Sequence, residues 1–390
     1  MTDDLKRTIP LFHSHAVGTE VGRAIAEVCE SGYLNEGVQV AKLEEFLARY
    51  LDAPRHNATL LNSCTSALEL ALKLSGVGPG DSVITPSMTC VATNTPIIAA
   101  GANIVWADID PNTGCIDPDD VGKLLWSARP VKAVICVDWA GNVCDLDKLN
   151  ALCTQFGTKL IQDAAHAFGA KWHGDGIAQY ADFTCFSFQA IKHFTTGDGG
   201  MLTCRDARAH ARARRLKWFG LDRDAVKDPR GDWRGQQWDV DIVEAGRKFN
   251  MNNIAAAIGL TNAQSIQWIM LRHRMNAQVY DDAFAGTAIS PLCLCQPQAQ
   301  VSSHWVYTVR VDRRVRDQLM VRLNARGIKA GLVHVPNHNY TCFKEFKREL
   351  PGTDEFAATQ LSLPCGWWVD PDEARQIAMI ALGELNDIRI

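Results

Sequence analysis

A chain of 390 residues with 47% hydrophobic and 22% charged side chains has the balance of a soluble globular enzyme and the length for two domains. A formal net charge of −4, with no basic stripe, excludes a nucleic-acid partner, and no apolar run is long enough for a membrane span. Cys136 and Cys185 sit inside apolar runs as small hydrophobes, and the close pair Cys293 and Cys295 has no matching pair or histidine cluster, so neither a disulfide framework nor a metal site is expected.

From the N-terminus, Met1-Thr2-Asp3-Asp4 opens no secretory signal, and a reducing cytoplasm is the expected compartment. Ala58–Leu61 is a short apolar strand, and Thr65–Leu74 carries Leu68, Ala71 and Leu72 at helical spacing. Ser82–Thr85 reads as a strand ending at Pro86, Ala92–Ala100 as a helix and Asn103–Ala107 as a strand. Val131–Val137 is a continuous apolar run of the kind buried on both faces of a parallel sheet. A helix over Asp145–Phe156 precedes a strand, Lys159–Gln162, that extends into Asp163. Arg205–Lys217 has helical spacing and reads as a solvated helix face. This alternation predicts an α/β domain with a mostly parallel sheet, whose ligand lies beyond the carboxyl ends of the strands. One long helix is expected over Ile254–Tyr280. After a Pro/Cys-rich stretch at Pro291–Pro297 come a strand at Trp305–Val311, a helix near Val315–Arg326 and a further segment at Val333–Pro336. The expected division is an N-terminal arm and large domain over 1–262 and a smaller α+β domain over 263–390.

Lys192 stands out. It follows the strand-like Phe186-Ser187-Phe188 and precedes the turn Thr195-Thr196-Gly197-Asp198-Gly199-Gly200. An amine at the exit of a buried strand is desolvated, its charged form is disfavoured, and a neutral amine attacks carbonyls. Lys192 is therefore a candidate anchor for pyridoxal phosphate (PLP). That cofactor also needs an acid on its ring nitrogen and a cradle for its phosphate. Asp163, at a strand end in Leu160-Ile161-Gln162-Asp163-Ala164-Ala165-His166, is the acid candidate; the plainer reading is a helix N-cap. Asn62-Ser63-Cys64-Thr65-Ser66-Ala67-Leu68 joins a strand to a helix and offers hydroxyls and free N–H groups, and Ser187 is a second phosphate candidate. Ordinary capping and a backbone-bonded strand serine are their alternatives. His166 reads equally as a cofactor neighbour or a structural hydrogen-bonder. Asp198 reads as a turn residue. No GxGxxG, Walker A or HExxH pattern is present.

Together these segments, with Thr85-Pro86-Ser87-Met88-Thr89 and Arg247–Gly259, resemble the DegT/DnrJ/EryC1/StrS family of PLP-dependent sugar aminotransferases. The likeness runs from about residue 30 to 270 and weakens through His334, Pro336 and Leu363-Pro364. It implies the fold of type I PLP-dependent transferases: a large α/β domain with a mixed, mostly parallel sheet and a smaller α+β domain. It also implies that Lys192 carries PLP and shuttles a proton, that Asp163 pairs with the ring nitrogen, and that Thr65, Ser66 and Ser187 bind the phosphate. Asn250 would reach that phosphate from a neighbouring subunit, making a homodimer the active unit. His166 matches a family position beside the cofactor. Two departures concern Cys90, where relatives often have a ring-stacking aromatic residue, and Cys64, where many have glycine. Cys90 is still expected to contact the ring, though with little stacking, so that Ala165 also packs against it, and Cys64 is expected to keep its backbone N–H donation to the phosphate. Lys192 also separates the chain from relatives with histidine there, which dehydrate sugars.

The resemblance implies transfer of an amino group from L-glutamate to a nucleotide-linked keto-deoxy sugar, of the 4-keto-6-deoxy or 3-keto type. Such aminodeoxysugars serve surface polysaccharides such as O-antigen or glycosylated metabolites. A cyclitol ketone as acceptor, or a PLP-binding regulatory protein without turnover, are the alternatives. Substrate selection is expected from Lys217–Trp238 and His334–Thr341. In the first, Trp218, Arg223, Trp233 and Arg234 are candidates for stacking on a base or binding a diphosphate, with surface packing or a dimer contact as the equal alternative, and in the second His334 is a candidate substrate contact.

Overall fold

The computed structural model describes residues 5–15, 18–54, 57–127, 130–222 and 241–388. Seven strands form the main sheet: β1 (Ala58–Leu61), β2 (Ser82–Pro86), β3 (Asn103–Ala107), β4 (Val131–Val137), β5 (Lys159–Asp163), β6 (Phe183–Ser187) and β7 (Gly200–Cys204). Their spatial order is β1-β7-β6-β5-β4-β2-β3. β7 alone runs against its neighbours, so the sheet is mixed and mostly parallel, as expected. Three of the strands have the bounds read from their apolar runs, and two others extend one residue further, to Pro86 and Asp163.

The period-2 pleat of the strands divides the core. Val134 and Cys136 of β4 face one apolar cluster, Ala133 and Ile135 the other. The first cluster is closed by α2 (Val38–Tyr50), after the leading helix α1 (Gly18–Glu30), and by α5 (Pro118–Ser127) and α6 (Leu146–Phe156). The second is closed by α3 (Cys64–Leu74), α4 (Val91–Ala99) and α7 (Ala207–Leu216). Helices on both faces leave the strand ends as the open place for a ligand. Asp145 lies one residue before α6 and caps it, accepting from the Lys148 N–H.

Three expectations change, and one segment left open is placed. The single helix over Ile254–Tyr280 is two helices, α8 (Asn253–Asn262) and α9 (Ile266–Phe284), joined by a three-residue 3₁₀ turn. The buried Asn262 amide donates to the Thr195 carbonyl, which pins the end of α8 to the loop after Lys192 while α9 departs. The strand expected over Trp305–Val311 shortens to Tyr307–Arg310, because Trp305 donates its backbone N–H to Ala140 instead of to a ladder. Val333–Pro336 joins no strand; Pro336 makes one isolated bridge to Met88. The basic face of α7 is paired more than solvated. Arg212 meets Glu244, Arg214 meets Glu44, and Lys217, only 3% exposed, meets Glu36 at 2.7 Å.

A smaller antiparallel sheet forms from β8 (Ser290–Pro291), β9 (Tyr307–Arg310) and β10 (Gln360–Leu363). It shares a core with α10 (Arg316–Ala325) and α12 (Pro371–Asn386), while α11 (Pro351–Thr359) leads into β10. α9 serves both cores: Ile266, Ile269 and Met270 join the large one, Ala277, Tyr280 and Phe284 the small one. The N-terminal arm packs into the small core through Ile9, which bonds Gly327 and Lys329. Among the described residues no helix is long and apolar enough to cross a membrane, and no group of His, Cys, Asp and Glu is arranged to hold a metal ion.

Gly200 opens β7 directly against the turn that starts α3. A Cβ there would lie 2.4 Å from the Ser63 carbonyl carbon and 2.5 Å from the Cys64 nitrogen. Backbone cannot yield as a side chain can, so Gly200→Ala should destabilise the fold by about 1–3 kcal/mol. Urea denaturation beside the parent protein checks this; equal midpoints would refute it.

Candidate active site

One cleft gathers the carboxyl ends of β1, β2, β5 and β6. Its lining includes Cys64, Thr65, Cys90, Asp163, Ala165, His166, Ser187, Lys192 and His334. Residues spread over most of the chain meet here: most follow, or end, a strand of the main sheet, whereas His334 comes from the C-terminal part of the chain.

Asp163 ends β5 and is 4% exposed. Burial raises its pKa above the ordinary carboxylate range, opposed by three hydrogen bonds and the nearby Lys192. Its Oδ2 accepts from the Thr93 hydroxyl at 2.7 Å. Its Oδ1 accepts from the Ala165 N–H at 3.1 Å and from the Cys64 thiol at 3.9 Å. These are neutral donors. The carboxylate is oriented and has capacity for a cationic partner.

Lys192 sits in the loop after β6. Burial pushes its amine down to about 8, although Asp163 pulls the other way. Its Nζ lies 3.5 Å from the centroid of the Trp305 ring. His166 stacks on the same indole, with centroids 4.0 Å apart, and His334 stacks on His166 at 5.3 Å. Burial holds both imidazoles well below the usual histidine range, His334 at about 3. Both are neutral at physiological pH. The Ala140 N–H approaches His166 Nδ1 at 3.4 Å, so His166 presents its Nε2 towards His334.

The anion end is the start of α3. Ser63 caps the helix by accepting from the Ser66 N–H, which leaves Cys64 and Thr65 in the first turn, where N–H groups have no partner within a helix. Ser187 ends β6 on the same cleft, and Gly199 passes beneath. Cys90 is half-buried at the N-terminus of α4 and lines the cleft, with Ala165 on the wall as expected.

Other expected residues lie elsewhere. The Ser66 hydroxyl turns away and donates to Asn62 at 2.6 Å, so Ser66 contributes through the cap and not the cleft wall. Asn250 is outside the cleft of its own chain, donating to Asn35 and accepting from Lys248. Trp218 also lies outside it, 4.2 Å beneath the Lys248 ammonium. Arg223, Trp233 and Arg234 fall outside the described residues. Asp198, read as a turn residue, does line the cleft.

Three contributors escaped the sequence reading: Thr93, its neighbour Thr89 and Trp305. Thr89 precedes α4 and Thr93 lies in its first turn, with their hydroxyls 2.9 Å from each other. Trp305 read as a strand residue, and nothing local marks it as part of a distant cleft.

The donor set fits PLP. A buried carboxylate with neutral neighbours suits a protonated ring nitrogen, a helix start with a serine suits a phosphate, and an amine of lowered pKa suits an aldehyde.

Comparison with known proteins agrees. The profile of the DegT/DnrJ/EryC1/StrS aminotransferase family matches residues 16–381. A dTDP-4-dehydro-2,3,6-trideoxy-D-glucose 4-aminotransferase from Saccharopolyspora spinosa is 31% identical over 371 residues, covering 94% of each chain. The sugar aminotransferase CalS13 from Micromonospora echinospora superposes with a TM-score of 0.87 at 30% identity, over 96% of this chain and 99% of that one. Spr1654 from Streptococcus pneumoniae, solved in its PLP form, gives 0.87 at 27% identity over 98% and 100%. The chain belongs to the DegT/DnrJ/EryC1/StrS aminotransferase family, whose enzymes work with pyridoxal phosphate.

Proposed function

We propose that this protein moves an amino group from L-glutamate to the keto group of a nucleotide-linked keto-deoxy sugar. The observation that carries this is the buried Lys192 amine sharing a cleft with the oriented Asp163 carboxylate and the start of α3. The dTDP-sugar substrate in the name of the 31%-identical relative supports the acceptor class.

Lys192 anchors the cofactor through Nζ. Once released, Nζ is the base placed to take a proton from the substrate carbon and to return it. Its lowered pKa leaves a useful fraction unprotonated near neutral pH. PLP bound here supplies the electron sink that stabilises charge at that carbon. Asp163 holds the ring-nitrogen proton, and Thr93 holds Asp163. The Cys64 and Thr65 N–H groups and the Ser187 hydroxyl take the phosphate. Neutral His166 and His334 wall the cleft without adding charge that would repel the Lys192 ammonium. Asn250, turned away from its own cleft, is proposed to complete the phosphate site of a second copy in a homodimer; sedimentation of the holoenzyme as a monomer would rule that out.

An amine with a pKa near 8 is mostly free at pH 9, whereas an ordinary lysine is not. Capture of PLP by the apoprotein, followed by absorbance, should therefore accelerate with pH through a midpoint near 8. Lys192→Ala should abolish both capture and steady turnover.

A hydrogen bond to a charged group contributes roughly 1.5–3 kcal/mol, so Thr93→Val should lower kcat roughly 10–100-fold. Asp163→Asn should lose more, with thermal stability preserved in both. Steady-state kinetics and melting curves decide this, and undiminished kcat in Asp163→Asn would remove that residue from the mechanism.

The acceptor class is tested with the holoenzyme and L-glutamate against dTDP-, UDP- and GDP-linked keto sugars and a cyclitol ketone. Turnover of one nucleotide sugar is expected. Turnover of the cyclitol ketone alone, or no spectral change with glutamate, would overturn the assignment.

A further inference from the structure

We propose that Trp305 is the platform on which the freed Lys192 ammonium rests, and that Phe12 of the N-terminal arm is a positioning residue that acts through Trp305. The inference rests on Lys192 being the anchor. Four rings from separate stretches of chain lie nearly parallel in a row. Phe12 stacks on Trp305 at 4.9 Å and 22°, Trp305 on His166 at 4.0 Å and 22°, and His166 on His334 at 5.3 Å and 11°. Both Phe12 and His166 stack on the same indole. Trp305 is 2% exposed, and its Nε1–H donates to the Ile191 carbonyl at 2.9 Å, beside Lys192. The indole is thus held at one edge by its hydrogen bond and flanked by stacked rings, and Lys192 Nζ lies over it.

Phe12 is itself held firmly. Ile9 donates to Gly327 at 2.8 Å and accepts from Lys329 at 2.9 Å, and Trp368 Nε1 donates to Pro10 at 2.8 Å. The arm therefore ties the small domain to the back of the platform.

The chemistry gives the platform a purpose. Lys192 must leave its anchor in each half-reaction and stay close enough to move a proton. The groups facing its amine are Asp163, Cys90, Cys64, His166, His334 and His193. Asp163 is committed elsewhere, and the three histidines are held neutral by burial. An aromatic face attracts an ammonium without competing for that carboxylate. Losing such a desolvated contact should lower the amine pKa by about 0.5–1.5 units.

The test is the pH profile of PLP capture by the apoprotein, with melting curves to confirm folding. Trp305→Leu should move the midpoint down by about that amount, and Trp305→Phe should hold most of it. Phe12→Leu, which keeps apolar volume, should move it part of the way, and Phe12→Tyr, which keeps the ring, should restore it. A folded Trp305→Leu protein with an unmoved midpoint overturns the platform. If that variant does not fold, an equal midpoint in Phe12→Leu and Phe12→Tyr overturns the proposal instead. Capture that persists in Lys192→Ala would sink the anchoring role itself, which separates the two failures.

Discussion

Everything at this site depends on keeping one amine and one carboxylate dry and close together. Burial works against both charges, lowering the pKa of Lys192 and raising that of Asp163. Each attracts the other, but neither is neutralised outright. The carboxylate is kept in use by three neutral donors, from Thr93, Ala165 and Cys64. The amine is kept reactive by its desolvation. A site with this balance has its electrostatics ready for a cationic ring nitrogen and an aldehyde. The cost of that readiness is met by the packed sheet and helices around it.

The C-terminal part of the chain meets the strand ends here through polar contacts as well as rings. Asn337 donates to the Thr89 carbonyl at 2.8 Å, and its backbone N–H donates to the Ser87 carbonyl at 2.8 Å. Asn94 in α4 donates to both Pro86 and Asn337. These bonds fix the loop that carries Cys90 and Thr93 in one arrangement. The thin spot is Cys90 itself. A half-buried thiol there gives little stacking area, and the nearby aromatic surface comes from Trp305 and the two histidines.

Much of the large domain was legible because parallel strands buried on both faces read as unbroken apolar runs. Asn103–Ala107 and Val131–Val137 have the bounds their composition indicates. Asp163 and Lys192 were legible too, since a charged residue just beyond such a run is conspicuous. Periodicity could not reveal the break between α8 and α9, because buried apolar residues on both sides of it join the same core. Nor could it separate the small domain cleanly, since α9 contributes to both cores.

The sequence by itself indicated most of the strand and helix order, and it singled out Lys192 as the candidate anchor, Asp163 as the candidate acid and a helix start that suits a phosphate. These are local: each follows from a short run of residues and its immediate flanks. Only the tertiary structure decided that Thr93 supports Asp163, that Ser66 turns away from the cleft, and that Trp305, His334 and Phe12 stand in one row with His166. Except for the local Ser66–Asn62 bond, those contacts join residues far apart in the chain. They exist because strand ends, small domain and arm converge on one volume, and no local pattern encodes such convergence.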